Sequence, residues 1–451
     1  MDPLRAEHRN LALFTDLYEL TMLQAYVEQG MHEKATFSLF VRRLPPRRHY
    51  LLACGLDDVL RYLEELRFTR DDLDWLASLG QFGDRFLRWL EGFRFTGEVR
   101  GVPEGTPVFA NEPILEITAP LPAAQVIETY VMNQVHLQTV LASKASRVVS
   151  AAAGRAVVDF GPRRMHGIDA ALKAARAFHI AGVAATSNVL AGRIYGVPVS
   201  GTMAHSYVQA AVDEMAAFRN FARLYPETVL LVDTYDTLEG VRKVVALARE
   251  LGEAFRVRAI RLDSGDLGEL AFRSRAILDE AGLERVEIFA SGSLDEDRIA
   301  ELVAAGAPIT GFGVGTAMGT SDDAPALDIA YKLCAYAGRG RLKLSSGKPV
   351  LPGKKQVFRR ERAGEMVGDV IGRAEERVDG RPLLLPVMAG GERTAAGRVE
   401  LDGARAHAAE ETARLPARVR ALTPADPPYP VEVSQALRTY QEQVAQEIIG
   451  S

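Results

Sequence analysis

Pro198-Val199-Ser200-Gly201-Thr202-Met203-Ala204-His205-Ser206 is the stretch on which the fold of this chain turns. Pro198 to Ser200 read as a short strand, Gly201-Thr202 as the turn leaving it, and Ser206 as the N-cap of a following helix. His205 is therefore expected at a strand-to-helix junction, which is where α/β proteins keep their chemistry. A single histidine in a buried turn is ordinarily a hydrogen-bonded structural residue, so its neighbours have to decide the matter.

Working outward, a regular rhythm begins at residue 156. Strand-like segments start near Ala156, Pro198, Thr228, Arg256, Arg285 and Pro308, with a weaker one near Leu327, and helical patterns such as 237–251, 268–282 and 295–305 fill most gaps. Strand-helix alternation at this spacing predicts a parallel sheet, and six or seven units predict a closed or nearly closed α/β barrel, with an open doubly wound sheet as the alternative. The carboxyl ends of these strands carry Asp159-Phe160-Gly161-Pro162-Arg163-Arg164, Gly201 to Ser206, Asp233-Thr234-Tyr235-Asp236, Arg261-Leu262-Asp263-Ser264-Gly265-Asp266, Ser291-Gly292-Ser293 and Gly311 to Thr316. In a barrel such ends converge on one face, gathering arginines, carboxylates, hydroxyls and glycine-rich backbone around a single cavity.

Each group has a chemistry. Gly311 to Thr316 is able to bring backbone N–H groups and a hydroxyl close to a phosphate. Arg163, Arg164 and Arg261 offer planar donors for phosphate or carboxylate. Asp233, Asp236, Asp263 and Asp266 are suited to Mg²⁺ through water, to ribose hydroxyls or to fixing a histidine tautomer, and equally to turns and N-caps. There is no Gly-x-Ser-x-Gly elbow, no His-Glu-x-x-His and no cysteine cluster, and Gly347-Lys348-Pro349 lacks Walker spacing.

Before residue 156 the text is different. Asp16-Leu17-Tyr18-Glu19 opens a helix in capping-box spacing that runs to Gly30, with Leu17, Leu20, Leu23 and Val27 on the buried face and Tyr18 off it as a boundary aromatic. Residues 35–41 read as a strand leading into the basic turn 42–48, 55–66 and 70–92 as helices, 95–118 as a β-rich stretch, and 122–152 as a long linking helix. After residue 337 the pattern gives way to loops, and 400–451 reads as a helical appendix. The expected fold is thus an irregular (β/α) barrel at 151–340 carrying the active site. An α/β amino-terminal domain at 1–150 contains the β-rich part, and a loop-rich and helical carboxy-terminal region occupies 341–451.

Composition narrows the function. The 451 residues are 47% hydrophobic and 25% charged, with 54 basic and 59 acidic residues and a net charge of −5, so no basic field points to nucleic acid. Cys54 and Cys334 alone exclude a disulfide framework and point to the cytoplasm, while Met1 to His8 has no apolar leader and no 18-residue apolar run points to a membrane.

With these motifs in this order, the sequence resembles nicotinate phosphoribosyltransferase, of the type II phosphoribosyltransferases. The resemblance runs from Thr15-Asp16-Leu17-Tyr18-Glu19-Leu20-Thr21-Met22 to about Phe358, and its strongest block is Ser187-Asn188-Val189-Leu190-Ala191-Gly192 followed by 196–206. It implies transfer of phosphoribosyl from 5-phosphoribosyl-1-pyrophosphate to the ring nitrogen of nicotinate, giving nicotinate mononucleotide and pyrophosphate with Mg²⁺. ATP hydrolysis is then coupled to transfer through a phosphohistidine at His205, with Asp233 holding the other ring N–H. The same resemblance implies that Tyr18, from the partner subunit of a homodimer, and Phe160 sandwich the pyridine ring. It gives Arg163 and Arg261 the phosphate and pyrophosphate, Asp263 a ribose or metal ligand with Asp233 as second metal candidate, and Gly313 and Gly315 the 5-phosphate loop. Thr202, Ser264, Gly292 and Thr316 complete the expected substrate-binding set. Ser187 replaces an acidic residue of the related nicotinamide enzyme, which would repel a carboxylate, so the acid is favoured. Nicotinamide phosphoribosyltransferase and a non-catalytic nucleotide-binding relative are the competing readings; quinolinate phosphoribosyltransferase, whose type lacks the ATP-linked histidine, stands further off.

Overall fold

Six short strands, Ala156–Asp159, Ala185–Thr186, Val229–Leu231, Ala259–Leu262, Glu287–Ser291 and Gly311–Val314, build the sheet that carries the site. All five pairings are parallel, in the spatial order 185–186, 156–159, 311–314, 287–291, 259–262, 229–231. Val157, Val158, Ile260, Leu262, Ile288, Ala290, Phe312 and Val314 are all buried, the continuous apolar run of a parallel sheet covered on both faces. The helices Thr237–Leu251, Leu267–Glu280 and Glu296–Ala304 stand between strands, each started by an aspartate, Asp236, Asp266 or Asp295, whose side chain accepts from the first-turn backbone.

This computed structural model describes residues 11–345 and 350–450; Met1 to His8 and Gly347-Lys348-Pro349, read above for a leader and a Walker loop, lie outside the described residues. The chain forms two compact units: Lys144–Asp323, and the residues up to Ser143 together with those from Ala324 onward. The three consecutive segments read from the sequence are therefore arranged as two units, the carboxy-terminal region sharing one with the amino-terminal region. The reason is strand pairing: Ile329–Tyr336 lies antiparallel to Lys34–Val41, and Leu385–Ala389 to Glu98–Gly101, in one seven-stranded sheet.

Several sequence expectations are corrected. The weak seventh strand near Leu327 is the Ile329–Tyr336 strand of that other sheet. The strand expected at Pro198 reduces to a single parallel bridge between Thr186 and Val199, since proline has no N–H to offer a ladder. The following helix begins at His205, one residue earlier than expected, with Ala204 and not Ser206 in the cap position. The 70–92 helix is two, Arg70–Ser78 and Asp84–Glu91, parted at Gly80. The loops expected after residue 337 include the antiparallel pair Lys355–Arg362 and Glu365–Arg373, turning through Ala363 and Gly364 at φ of 51° and 83°.

The helix Leu17–Glu28 forms as read, with Leu20, Leu23 and Val27 buried, but Leu17 is 52% exposed and the Asp16 side chain makes no cap hydrogen bond. Glu19 turns inward instead. It accepts hydrogen bonds from the hydroxyls of Thr15 and Thr129, the latter at 2.7 Å, and burial pushes its carboxyl up to about 7 against their pull, helped by Glu128 and Asp16. The native chain thus holds a proton on Glu19 in the window from about 4.5 to 7 that the unfolded chain releases, so this group's contribution to stability is lost as pH rises through it. In urea unfolding, Glu19→Gln is expected to gain roughly 1–2 kcal/mol relative to the parent between pH 5 and pH 8, allowing for solvent screening. A difference that does not move with pH would mean that Glu19 is ionised throughout.

Candidate active site

His205 sits at the first turn of the helix His205–Ala210, with its side chain 40% exposed. Its Nδ1 lies 3.1 Å from the hydroxyl of Thr234, and its Nε2 lies 3.9 Å from Asp263 Oδ2. Asp233, expected to hold the ring, is directed elsewhere: its Oδ2 accepts the backbone N–H of Asp263 at 3.0 Å and the hydroxyl of Ser264 at 2.6 Å. Thr234 takes the place expected for Asp233, successive residues of an extended chain pointing to opposite sides beyond the strand Val229–Leu231.

Asp263 is the centre of a second set of contacts. Its Oδ1 accepts the hydroxyl of buried Ser291, and its carbonyl oxygen packs against Gly292, where a Cβ would lie 1.8 Å away and φ is +89°. No other residue fits Gly292 without moving the Asp263 backbone. Arg261 donates through Nη2 to the carbonyl of Met203 at 2.7 Å and stands with its guanidinium carbon 5.7 Å from the centre of the Phe160 ring. Burial pulls the Arg261 guanidinium below its ordinary value, Asp263 and Asp233 oppose the fall, and Arg163 adds to it. The arginine remains a cation.

Phe160 lies against Gly313: a Cβ there would come within 2.4 Å of the ring, and within 3.1 Å of Phe289. The glycine expected to admit a phosphate thus admits an aromatic ring, while Gly315 has ordinary room, 3.4 Å from the Phe160 carbonyl oxygen. Thr316 opens the short helix Thr316–Thr320, Arg163 and Arg164 are exposed on the turn Pro162–Arg164, and Thr202 donates its hydroxyl to the Met203 carbonyl at 3.3 Å. Ser187 donates its N–H to the carbonyl of Asp159 at 2.8 Å. Tyr18 belongs to the other unit, 48% exposed on the helix Leu17–Glu28, where burial and the carboxylates of Glu128, Glu19 and Asp16 push its hydroxyl up.

His205, Arg261, Asp233, Asp263, Ser264, Gly292, Phe160 and Gly313 are therefore joined by contact at the carboxyl ends of adjacent strands. Sequence reading missed Thr234, Thr186 and the function of Asp159 as a contact point. Thr234 was inside a quoted strand-end motif, but its partner is set only in three dimensions. Thr186 lies in a two-residue strand, too short for any periodicity to show.

The fit to a divalent cation rests on one orphan: Asp233 Oδ1 is buried and has no hydrogen-bond partner. With Asp263 beside it, two carboxylates are available, the number Mg²⁺ commonly takes when phosphate oxygens and water complete its shell. Among the described residues no cluster of three or more His, Cys, Asp or Glu groups has metal-holding geometry, so a closed protein cage is absent there. Nor is any helix among them long and apolar enough to cross a membrane.

A parallel α/β sheet with these groups at its strand ends is a barrel-type enzyme site. Residues 13–136 match the nicotinate phosphoribosyltransferase (NAPRTase) N-terminal domain and residues 155–363 the nicotinate phosphoribosyltransferase (NAPRTase) family. The chain is 58% identical over 426 residues to nicotinate phosphoribosyltransferase pncB2 of Mycobacterium tuberculosis, covering 94% of this chain and 92% of that one. It is 43% identical over 380 residues to the nicotinate phosphoribosyltransferase of Bacillus subtilis, covering 82% and 78%. The crystal structure of human nicotinic acid phosphoribosyltransferase superposes with a TM-score of 0.84 at 29% identity, covering 95% of this chain and 99% of that one. The chain belongs to the nicotinate phosphoribosyltransferase family and is an enzyme of that activity, in the biosynthesis of NAD.

Proposed function

We propose that this enzyme joins nicotinate to 5-phosphoribosyl-1-pyrophosphate at the His205–Asp263 face, in a homodimer whose partner supplies Tyr18 to each site, and couples transfer to ATP through phosphorylation of His205. The observation that carries the reading is the convergence of His205, Arg261, Asp233 and Asp263 at the carboxyl ends of adjacent parallel strands. In the transfer step the lone pair of the pyridine nitrogen forms the bond to C1 of the ribose, and the C1–O bond breaks with its electron pair leaving on pyrophosphate. No general base is required, because that nitrogen brings no proton. The protein's task is orientation and stabilisation of the departing charge.

Arg163 and Arg261 face that charge as planar donors, and Phe160 offers its ring to the base. Gly315, Thr316, Thr202, Ser264 and Gly292 bring backbone and hydroxyl groups to the phosphorylated ribose. Mg²⁺, held by Asp263 and Asp233, supplies neutralisation of the pyrophosphate oxygens when bound. In the coupled step a neutral imidazole nitrogen of His205 attacks the γ-phosphorus of ATP, the bond to the bridging oxygen breaks, and ADP leaves; water later releases the phosphate. Thr234, bonded at Nδ1, orients the ring and leaves Nε2 as the nitrogen that attacks. Ser187 presents no negative charge to the nicotinate carboxylate, which supports the acid over the amide. The setting is the cytoplasm, consistent with Cys54 and Cys334 being buried and joined in no disulfide.

The test incubates the protein with phosphoribosyl pyrophosphate, Mg²⁺ and either nicotinate or nicotinamide, with and without ATP, and identifies products by mass spectrometry. Nicotinate mononucleotide is expected in preference to the amide product, in larger yield with ATP. Equal use of both bases would overturn the assignment of Ser187, and indifference to ATP the coupling.

A further inference from the structure

Asp159 is fully buried at the end of the strand Ala156–Asp159, and two loops meet on it. Its Oδ1 accepts the backbone N–H of Gly161 at 2.8 Å, and its Oδ2 accepts the hydroxyl of Thr186 at 2.7 Å. The Thr186 oxygen accepts in turn the N–H of Asn188 at 3.1 Å, and the Asn188 side chain caps the helix Val189–Tyr195 through the N–H of Ala191 at 3.2 Å. Gly161 has no slack on the other side, since a Cβ there would lie 3.0 Å from the Gly315 carbonyl and 2.8 Å from Met165. One carboxylate thus links the Phe160–Arg163 loop to the Thr186–Asn188 loop.

This link exceeds what the sheet needs. The two strands already pair at Val158 with Ala185 and at Asp159 with Thr186, and Ser187 is tied to the Asp159 carbonyl. A buried carboxylate is costly unless its oxygens accept hydrogen bonds, as both do here, so the two loops that supply the donors are held to it. Burial pushes Asp159 up to about 6 while Thr186 and Gly161 pull it down, which leaves it an acceptor at neutral pH.

We propose that Asp159 is a positioning residue for the base: through the Thr186 hydroxyl it sets Ser187, through the Gly161 N–H it sets Phe160, and the spacing between them selects nicotinate. This rests on the reading of Phe160 and Ser187 as the groups that meet the base. Asp159 itself touches neither substrate nor reacting atoms. Arg261 and Asp263, which serve the pyrophosphate end, and Gly292, which serves the phosphorylated ribose, stand on or directly after other strands.

Thr186→Val removes the hydroxyl donor and keeps the shape, so it opens the Ser187 side alone. It is expected to raise KM for nicotinate about tenfold, to leave KM for phosphoribosyl pyrophosphate within about twofold, and to reduce the preference for nicotinate over nicotinamide about tenfold. Thr186→Ser restores all three. Asp159→Asn, which cannot accept from both donors, is expected to act in the same direction and at least as strongly as Thr186→Val, because it also weakens the Gly161 side. If Asp159→Asn does not fold, the threonine pair carries the test. An active parent enzyme whose Thr186→Val variant is unchanged, or shifts both KM values equally, overturns the proposal. A parent without transfer to nicotinate overturns instead the functional reading beneath it.

Discussion

His205→Ala is expected to form nicotinate mononucleotide at a rate that ATP no longer alters, and to release phosphate from ATP at least about 10³-fold more slowly than the parent. Alanine has no lone pair to offer the γ-phosphorus, so the phosphoenzyme cannot form. The fold should survive the change. The imidazole is 40% exposed at the side chain, it lies in the first turn of a short helix, and the hydroxyl of Thr234 that it leaves behind is able to bond to water. Transfer without ATP should stay within about tenfold, because the groups that meet pyrophosphate and ribose are retained. Acid-labile label from γ-labelled ATP, present in the parent and absent in the variant, reads the loss directly. ATP stimulation that persists in the variant would place the phosphoryl acceptor elsewhere.

The second large effect is expected at Gly292. A Cβ would stand 1.8 Å from the Asp263 carbonyl oxygen and 2.7 Å from its carbon, on a residue with φ of +89°. Both neighbours are backbone atoms, so no side-chain rotation relieves the clash and the two loops must part. Gly292→Ala should therefore cost at least about 3 kcal/mol in stability, beyond the strain of a left-handed alanine alone. It should also remove most of the activity by displacing Asp263 from His205. Gly282→Ala is the control: its φ is +72° but nothing lies within 4 Å, so about 1 kcal/mol and full activity are expected. Urea unfolding of the two variants separates clash from strain, and equal losses would mean that the Asp263 backbone yields freely.

What was legible in the sequence follows from where pattern and physics agree. The helix Thr237–Leu251 was read to the residue because Asp236 caps it and Val241, Val244 and Val245 form a buried stripe. The strand-end residues were legible because aspartate and glycine punctuate a parallel sheet just where its polar groups collect. The hairpin Lys355–Arg373 was not, because buried positions in it carry Lys355, Gln356 and Arg359, against the apolar alternation a strand is expected to show. Arg359 is wholly buried, bonded to Asp369 at 2.6 Å and to the Pro107 carbonyl at 2.8 Å, so a charge that reads as solvent-facing belongs to the interior. In the site, Thr234 displaced Asp233 from His205 for a similar reason. Residue types announce the chemistry, but which neighbour of a strand end points toward the ring depends on the pleat.

The seven-stranded sheet has one further consequence. Lys34–Val41 is flanked on one side by Pro113–Pro120, which follows soon after, and on the other by Ile329–Tyr336, made roughly 290 residues later. At a synthesis rate of about 5–20 residues per second, that edge stays without its neighbour for tens of seconds while Lys144–Asp323 emerges as one uninterrupted segment. The segment that holds the histidine is thus free to complete itself on the ribosome, whereas the sheet assembled from the two ends of the chain must wait for translation to run almost to its close.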